Sequence, residues 1–237
     1  MGPPLRFAFC AALLACVCAQ PVSHPVWPPF LEVPGLACSD GRALAAALAD
    51  SSVTTALLPV DFVLRDSDFS GLALPLDIRR NFTIMGSASR PVTLDLGFVG
   101  HKVRLGGGVL LTISRVALIN YRSGSAAQAP GLDLLTPGEA DEPVALLRLQ
   151  DCVMSYRLCF PVDLTRQYFE KFTRPPEIPG HQDVRRPASL PTAASCNNRT
   201  GAPFVDRCFP LTGLYVDAAI HGADVQPDGR TTDNRYL

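Results

Sequence analysis

The chain has 237 residues, 47% of them hydrophobic and 18% charged, and a formal net charge of −1. That length and apolar content suit one domain with extensions and leave ample side chain for a core. So even a charge balance removes the electrostatic footprint of a nucleic-acid binder or of a protein held on membranes by charge.

Residues 1–19 read as a secretory signal peptide. Arg6 precedes the apolar run FAFCAALLACVCA, and Val17 and Ala19 occupy the two positions where a signal peptidase takes small side chains. The run is short for a bilayer span, and no later segment has an uninterrupted apolar run of spanning length. An uncleaved signal acting as an anchor is the alternative. The expectation is a secreted, extracellular chain cut after Ala19, with no transmembrane segment after the signal. Residues 20–37 then form a proline-rich arm. The five prolines of QPVSHPVWPPFLEVP forbid helix and central strand, so the arm is extended, and Trp27 and Phe30 make it adhesive.

Removing the signal takes Cys10, Cys16 and Cys18 with it. Cys38, Cys152, Cys159, Cys196 and Cys208 remain as disulfide candidates in an oxidising compartment. Cys152–Cys159 and Cys196–Cys208 are the economical pairings, with Cys38 left over, although spacing alone does not fix connectivity. A zinc site would need paired C-x-x-C or clustered histidines, and neither occurs. Two sequons, at Asn81 and Asn198, offer glycosylation sites on the export route.

A core over residues 38–160 opens with SDGRALAAALAD. Ser39 or Asp40 can cap a helix of alanine and leucine whose apolar stripe is Leu44, Ala47 and Leu48. Strand-like runs follow: LLPVDFVL, NFTIMG, VTLDL, VLLTIS and VALI. Val92, Leu94 and Leu96 share one face, and so do Val109, Leu111 and Ile113, an alternation that marks strands with one buried side. Glycines at 86, 97, 100 and 106–108 punctuate the runs as turns. Equivalent strands recur about every 20 to 24 residues, the spacing of a solenoid whose repeats each carry several short strands. A helix ahead of the first repeat would cover its open end.

The order of helix DGRALAAALAD, strands LLPVDFVL and FTIMG, then VTLDLGF and VLLTISRVALIN resembles the opening coils of pectin-lyase-like right-handed parallel β-helix proteins. It is most similar to extracellular β-helical regions of secreted and receptor-like proteins of green algae. The likeness covers residues 39–156 and rests on fold-level patterns. It implies a mainly β fold, a partial right-handed parallel β-helix with a short N-terminal capping helix and long irregular C-terminal loops. An antiparallel β-sandwich is the alternative, since short strands also suit that fold. The resemblance further implies a left-handed turn asparagine after a strand, and Asn120 matches that position.

Residues 123–143, small, polar and rich in Gly and Pro, read as a loop pushed out of the stack. VALLRLQDCVMSY returns to it, with Leu147 and Leu149 inward and Cys152 near the core. Residues 161–237 form an irregular extension. In it LTRQYFEKF suits a helix with a stripe of Leu164, Tyr168 and Phe172, the segment from Arg174 to Ser195 is draped or mobile, and GLYVDAAI is the last strand candidate.

Catalytic signals are sparse. Asp66-Ser67-Asp68 beside Arg65 reads as a solvated turn. No G-x-S-x-G elbow occurs, and Gly106–Gly108 lack the Lys-Ser/Thr of a phosphate loop. His101, between Gly100 and Lys102, reads as an outward strand residue. The resemblance stops short of the enzymes' active sites: no D-D pair or H-G-H-type element of polygalacturonases and no calcium cluster of pectate lyases has a match here. A glycan-active enzyme would need carboxylates gathered by stacking, and Asp66, Asp95 and Asp151 are the three to watch. Asp224, Asp228 and Asp233 imitate part of a calcium loop, but Arg235 stands where the bidentate Glu is required. The sequence therefore calls for no cofactor and no metal. It points to a non-catalytic extracellular glycoprotein or ectodomain module that binds a partner protein or cell-wall polysaccharide, with no nucleic acid among its partners. A polysaccharide lyase or glycoside hydrolase on the same scaffold is the rival reading.

Overall fold

The structure, a computed structural model, describes residues 14–17, 34–87, 92–124, 129–156, 161–185, 199, 214–226 and 228–237. The chain is mainly β. Its strands are β1 (Leu14–Val17), β2 (Leu36–Ala37), β3 (Thr55–Leu58), β4 (Phe62–Val63), β5 (Leu76–Ile78), β6 (Phe82–Gly86), β7 (Val92–Asp95) and β8 (Val103–Leu105). After them come β9 (Leu110–Ser114), β10 (Val116–Ile119), β11 (Leu146–Gln150), β12 (Val153–Tyr156), β13 (Asp183–Arg185), β14 (Tyr215–Asp217), β15 (Ala223–Val225) and β16 (Thr231–Asp233). Two helices, α1 (Gly41–Ala49) and α2 (Val162–Lys171), complete the set.

From β3 onward the chain visits three sheets in rotation. The first sheet runs β2-β3-β6-β9-β11, every pairing parallel. The second runs β4-β7-β10-β12, also parallel, with β1 added antiparallel along the outer edge of β12. The third pairs β5 with β8 in parallel, and Leu135 extends it through a bridge to Val103. An antiparallel sandwich is therefore not what this sequence builds. The expected spacing holds between β7 and β10, where Thr93 faces Ala117. In the first sheet Thr55, Thr83 and Thr112 stand in register a little under thirty residues apart, and Arg148 follows at a longer step. Runs that look equivalent in sequence fall in different sheets, which shortens the apparent period.

Columns of apolar side chains between the sheets make the core. Phe82, Ile84, Leu94, Leu111, Ile113 and Leu118 are all essentially inaccessible. Alternation places Val92, Leu94 and Leu96 inside as expected, but Thr93 is buried as well. The run LLPVDFVL is two strands, not one: β3 and β4 lie in different sheets, separated by a turn at Pro59 to Asp61. Corners between the first and second sheets repeat a left-handed residue, Arg115 after β9 and Asp151 after β11. At Gly86 an added Cβ would collide with the Arg115 carbonyl, so the close approach of neighbouring corners requires glycine there.

α1 packs Leu44, Ala45, Ala47 and Leu48 into this core. Asp40, of the two expected candidates, is the cap: its carboxylate accepts the Ala43 N–H at 2.8 Å. The other end is held by a residue from the connection between β5 and β6. Arg80 donates to the carbonyls of Ala47, Leu48, Asp50 and Val53 at 2.6–3.1 Å.

The segment 123–143 differs from the expected solvated loop over its described part. Leu132, Leu134 and Leu135 are buried, and the Lys102 and Val103 N–H groups donate to the Leu134 carbonyl. It supplies the third-sheet position between β10 and β11, where Leu135 bridges Val103. The C-terminal extension is more ordered than its composition implies. β13 and β14 form an antiparallel pair and β15 and β16 another, and a second apolar cluster gathers Phe169, Val184 and Leu214. In α2 the buried side chain is Phe169; of the expected stripe Phe172 packs against the same cluster, whereas Leu164 and Tyr168 are exposed.

Candidate functional site: a groove along an open sheet edge

β11 is the last strand of the first sheet, and its outer edge is only partly covered. The chain returns there at its final residues. Tyr236 bridges Ala145 in parallel, the Leu237 N–H donates to the Ala145 carbonyl at 2.9 Å, and the Leu147 N–H donates to the Leu237 carbonyl at 2.6 Å. Beyond Leu147 no described strand pairs with this side of β11. A groove of about 780 Å³ opens instead, floored by Leu147, Leu149, Asp151 and Met154.

The facing wall is the C-terminal layer. Arg174 pins the turn after α2 by donating from Nε to Ile178 O at 2.9 Å and from Nη1 to His181 O at 2.7 Å. Gln182 then ties two segments: its Nε2 donates to the Phe172 and Ala219 carbonyls, and its Oε1 accepts the Ala219 N–H at 3.0 Å. Tyr215 stands on the same wall with the Arg185 guanidinium 4.6 Å above its ring. Burial raises the Tyr215 phenol above its ordinary pKa, with Asp217 adding to the effect and Arg185 opposing it.

Tyr236 closes one end of the groove. It is 3% exposed, its phenol oxygen accepts the Leu132 N–H at 3.1 Å, and burial pushes its pKa up. The ring fits because Gly131 and Gly222 leave room: a Cβ at either would strike it, and Gly131 also holds φ at 141°. Behind Tyr236, Arg122 is buried and donates to Asp133 Oδ1 at 3.1 Å, to Asp224 Oδ1 at 2.5 Å and to the Ala223 carbonyl at 2.5 Å. These contacts fasten the β15–β16 hairpin to the body.

No protein-family model, curated protein or solved structure matches this chain. The site therefore stands on its geometry.

Of the three carboxylates to watch, only Asp151 lines the groove. Asp66 pairs with Lys102 at 2.8 Å in a 3-10 turn, where Asp68 accepts the Arg65 N–H. Asp95 caps a turn, accepting the Gly97 N–H at 2.8 Å and the Asn120 Nδ2 at 2.9 Å. Asn120 takes the left-handed conformation, with φ 50°, and its Nδ2 donates to Asp95 Oδ1 at 2.9 Å. His101 sits in a left-handed turn ahead of β8, not in a strand, and its N–H donates to Asp133 O.

The expected calcium-loop residues form the β15–β16 hairpin. Asp224 binds Arg122, Asp228 binds Arg230 at 2.7 Å, and Asp233 accepts the Arg235 N–H at 2.6 Å. Among the described residues no three His, Cys, Asp or Glu side chains gather as a metal would need. Cys38 is a buried free thiol. Cys152 is buried next to Ile113, whose carbonyl accepts its Sγ–H at 3.2 Å. Among the described residues no disulfide forms; Cys159, Cys196 and Cys208, and with them both expected pairings, lie outside those residues. Asn81 is exposed just ahead of β6, and its Oδ1 accepts the Leu110 N–H at 2.9 Å. Asn198 lies outside the described residues, and so does the arm from Gln20 to Val33. No described helix is long and apolar enough to cross a membrane.

Arg80, Arg122 and Tyr236 were not legible as structural keystones. Each acts on residues tens of positions away, and no local spacing announces such a pairing. The one available signal for Tyr236 was an aromatic residue in an otherwise polar terminal run, DGRTTDNRYL.

Proposed function

We propose that this chain is an exported, non-catalytic binding module built as a right-handed parallel β-helix, with the groove along β11 as its ligand seat. The cyclic order of strands through three parallel sheets supports the β-helix, as does the likeness to the opening coils of pectin-lyase-like proteins. The apolar leader of residues 1–19 and the two sequons support export, glycosylation and a location outside the cell, and in this reading cleavage after Ala19 removes β1 and uncovers the edge of β12. One observation carries the binding assignment: among the described residues a groove of about 780 Å³ runs beside the outer edge of β11, with Leu147, Leu149 and Met154 along its floor. A catalytic reading needs two carboxylates about 5–10 Å apart in a groove. Here Asp66 and Asp95 are committed to Lys102 and to a turn; Asp151 shares the groove with Glu177 and with Asp217, and Asp217 pairs with Arg174 at 3.9 Å.

The test is to present the secreted chain to an array of extracellular polysaccharides and proteins while assaying reducing-sugar release. Retention on a ligand without release is expected. Release of reducing ends, abolished by Asp151→Asn, would replace the binding module with an enzyme.

A further inference from the structure

We infer that Asn81 carries an N-linked glycan, attached before β6 is enclosed in the first sheet and then held in a fixed direction by the folded protein. This rests on the reading of the chain as exported, and it assigns the modification to one residue and one stage of folding.

Three observations lead there. First, Asn81-Phe82-Thr83 is an acceptor sequon whose ends stay accessible. Phe82 is 1% exposed in the core, whereas Asn81 is exposed and Thr83 half-buried. Second, the two ends of the Asn81 carboxamide are divided. Oδ1 accepts the Leu110 N–H at 2.9 Å, and Nδ2 bonds to no described residue. An N-glycosidic linkage uses Nδ2 and keeps Oδ1 and one N–H, so the sugar and the Leu110 bond coexist. Third, the finished sheet holds the sequon shut. Thr83 pairs with Thr55 on one side and Thr112 on the other, and its N–H donates to the Thr54 carbonyl at 2.9 Å. An amide nitrogen is a weak nucleophile, because its lone pair is delocalised into the carbonyl. A transferase must grip the asparagine carboxamide and the threonine hydroxyl together to activate it, and in the folded protein β6 would have to leave both neighbours. β9 follows β6 along the chain and emerges after it during synthesis, so the sequon passes the transferase with one edge still open.

The co-substrate is an oligosaccharide activated as a lipid-linked diphosphate. A bond forms between Asn81 Nδ2 and the anomeric carbon while the anomeric C–O bond to the diphosphate breaks. The diphosphate leaves with the electron pair, and Nδ2 gives up one proton. Once the chain is folded, the Leu110 bond fixes the plane of the linkage. Leu110 also lines the groove, so the glycan stands beside the ligand seat.

Expression of the full chain in a eukaryotic secretory cell line, with peptide mapping by mass spectrometry before and after glycosidase treatment, tests the site. A glycan at Asn81 is expected. It should be lost in Thr83→Val, which keeps a β-branched strand residue, and kept in Thr83→Ser, which keeps the hydroxyl. A secreted chain with Asn81 bare would overturn the assignment and leave export standing. A chain retained in the cytosol would overturn the export reading, and the assignment with it. The stage of attachment is tested with the folded, unmodified full chain made in bacteria and a peptide of residues 78–87, each offered to a purified transferase and its lipid-linked donor. Transfer to the peptide should be at least about a hundredfold faster, since a strand paired on both sides reaches the transferase only by local unfolding. Equal rates would overturn attachment before folding, and a peptide that accepts nothing would overturn the sequon as an acceptor.

Discussion

Glu142 shows how single residues tie separate parts of this molecule together. Its carboxylate bonds to Arg79 and accepts the Gly107 N–H at 2.7 Å, and these contacts, the Arg79 bond foremost, hold its pKa below the usual carboxylate range. With the folded value below the unfolded one, the stabilisation is complete above the ordinary glutamate value of about 4.3 and is lost as pH falls through the lower folded value. Glu142→Gln should therefore reduce the melting temperature near neutrality, and the gap to wild type should close under acid. Melting curves recorded from pH 7 down to pH 3 decide it; a gap that stays constant would unlink the carboxylate from acid unfolding. This pair spans 63 residues of sequence, and only the register of the sheets brings it together. The left-handed turn at Asn120, by contrast, was expected, but from the likeness to β-helix proteins and not from local composition, since Phe98, His101 and Arg115 take the same conformation with no asparagine to mark it.

At the scale of elements, α1 was legible because helix propensity, a capping aspartate and a stripe of leucine and alanine all agree over twelve residues, SDGRALAAALAD. Its anchoring was not. Asp40 satisfies one N-terminal amide, but Arg80 satisfies several carbonyls at the opposite end and is partly buried in doing so. Asp40→Ala should cost about 1 kcal/mol, the usual loss for a cap. Arg80→Ala should cost about 2–3 kcal/mol, since it removes charge-assisted bonds and leaves carbonyls without donors. Urea unfolding of the two variants ranks them, and a cost for Arg80→Ala no greater than that for Asp40→Ala would refute the ranking. α2 was placed correctly, and of its expected stripe only Phe172 packs inward. The four-residue steps of Leu164, Tyr168 and Phe172 drift around the helix, and Phe169 is the side chain that meets Val184 and Leu214. The hairpin of β15 and β16 was hidden by its own composition, since Asp224, Asp228 and Gly229 serve a turn as readily as an ion.

The molecule as a whole closes through Arg122. One buried guanidinium joins the segment before it, the Asp133 loop and the C-terminal hairpin, which lies 102 residues further along the chain. Tyr236 then seats against Leu132, and Leu237 reaches the edge of β11, so the groove depends on this clasp for one of its ends. Arg122→Ala would leave two carboxylates with low exposure and no cation between them, at a cost of about 3 kcal/mol. Lysine restores the charge without the planar fork and should recover only part of the loss. The loss should also be uneven. Native-state hydrogen exchange on Arg122→Ala should speed first at Gly222, Ala223, Asn234 and Leu237, whose N–H groups bond within the clasp, while Ile84 and Ile113 in the central strands of the first sheet stay protected. Uniform acceleration across both groups would mean that the clasp and the stacked sheets open as one unit, and the groove could not then change shape while the body holds.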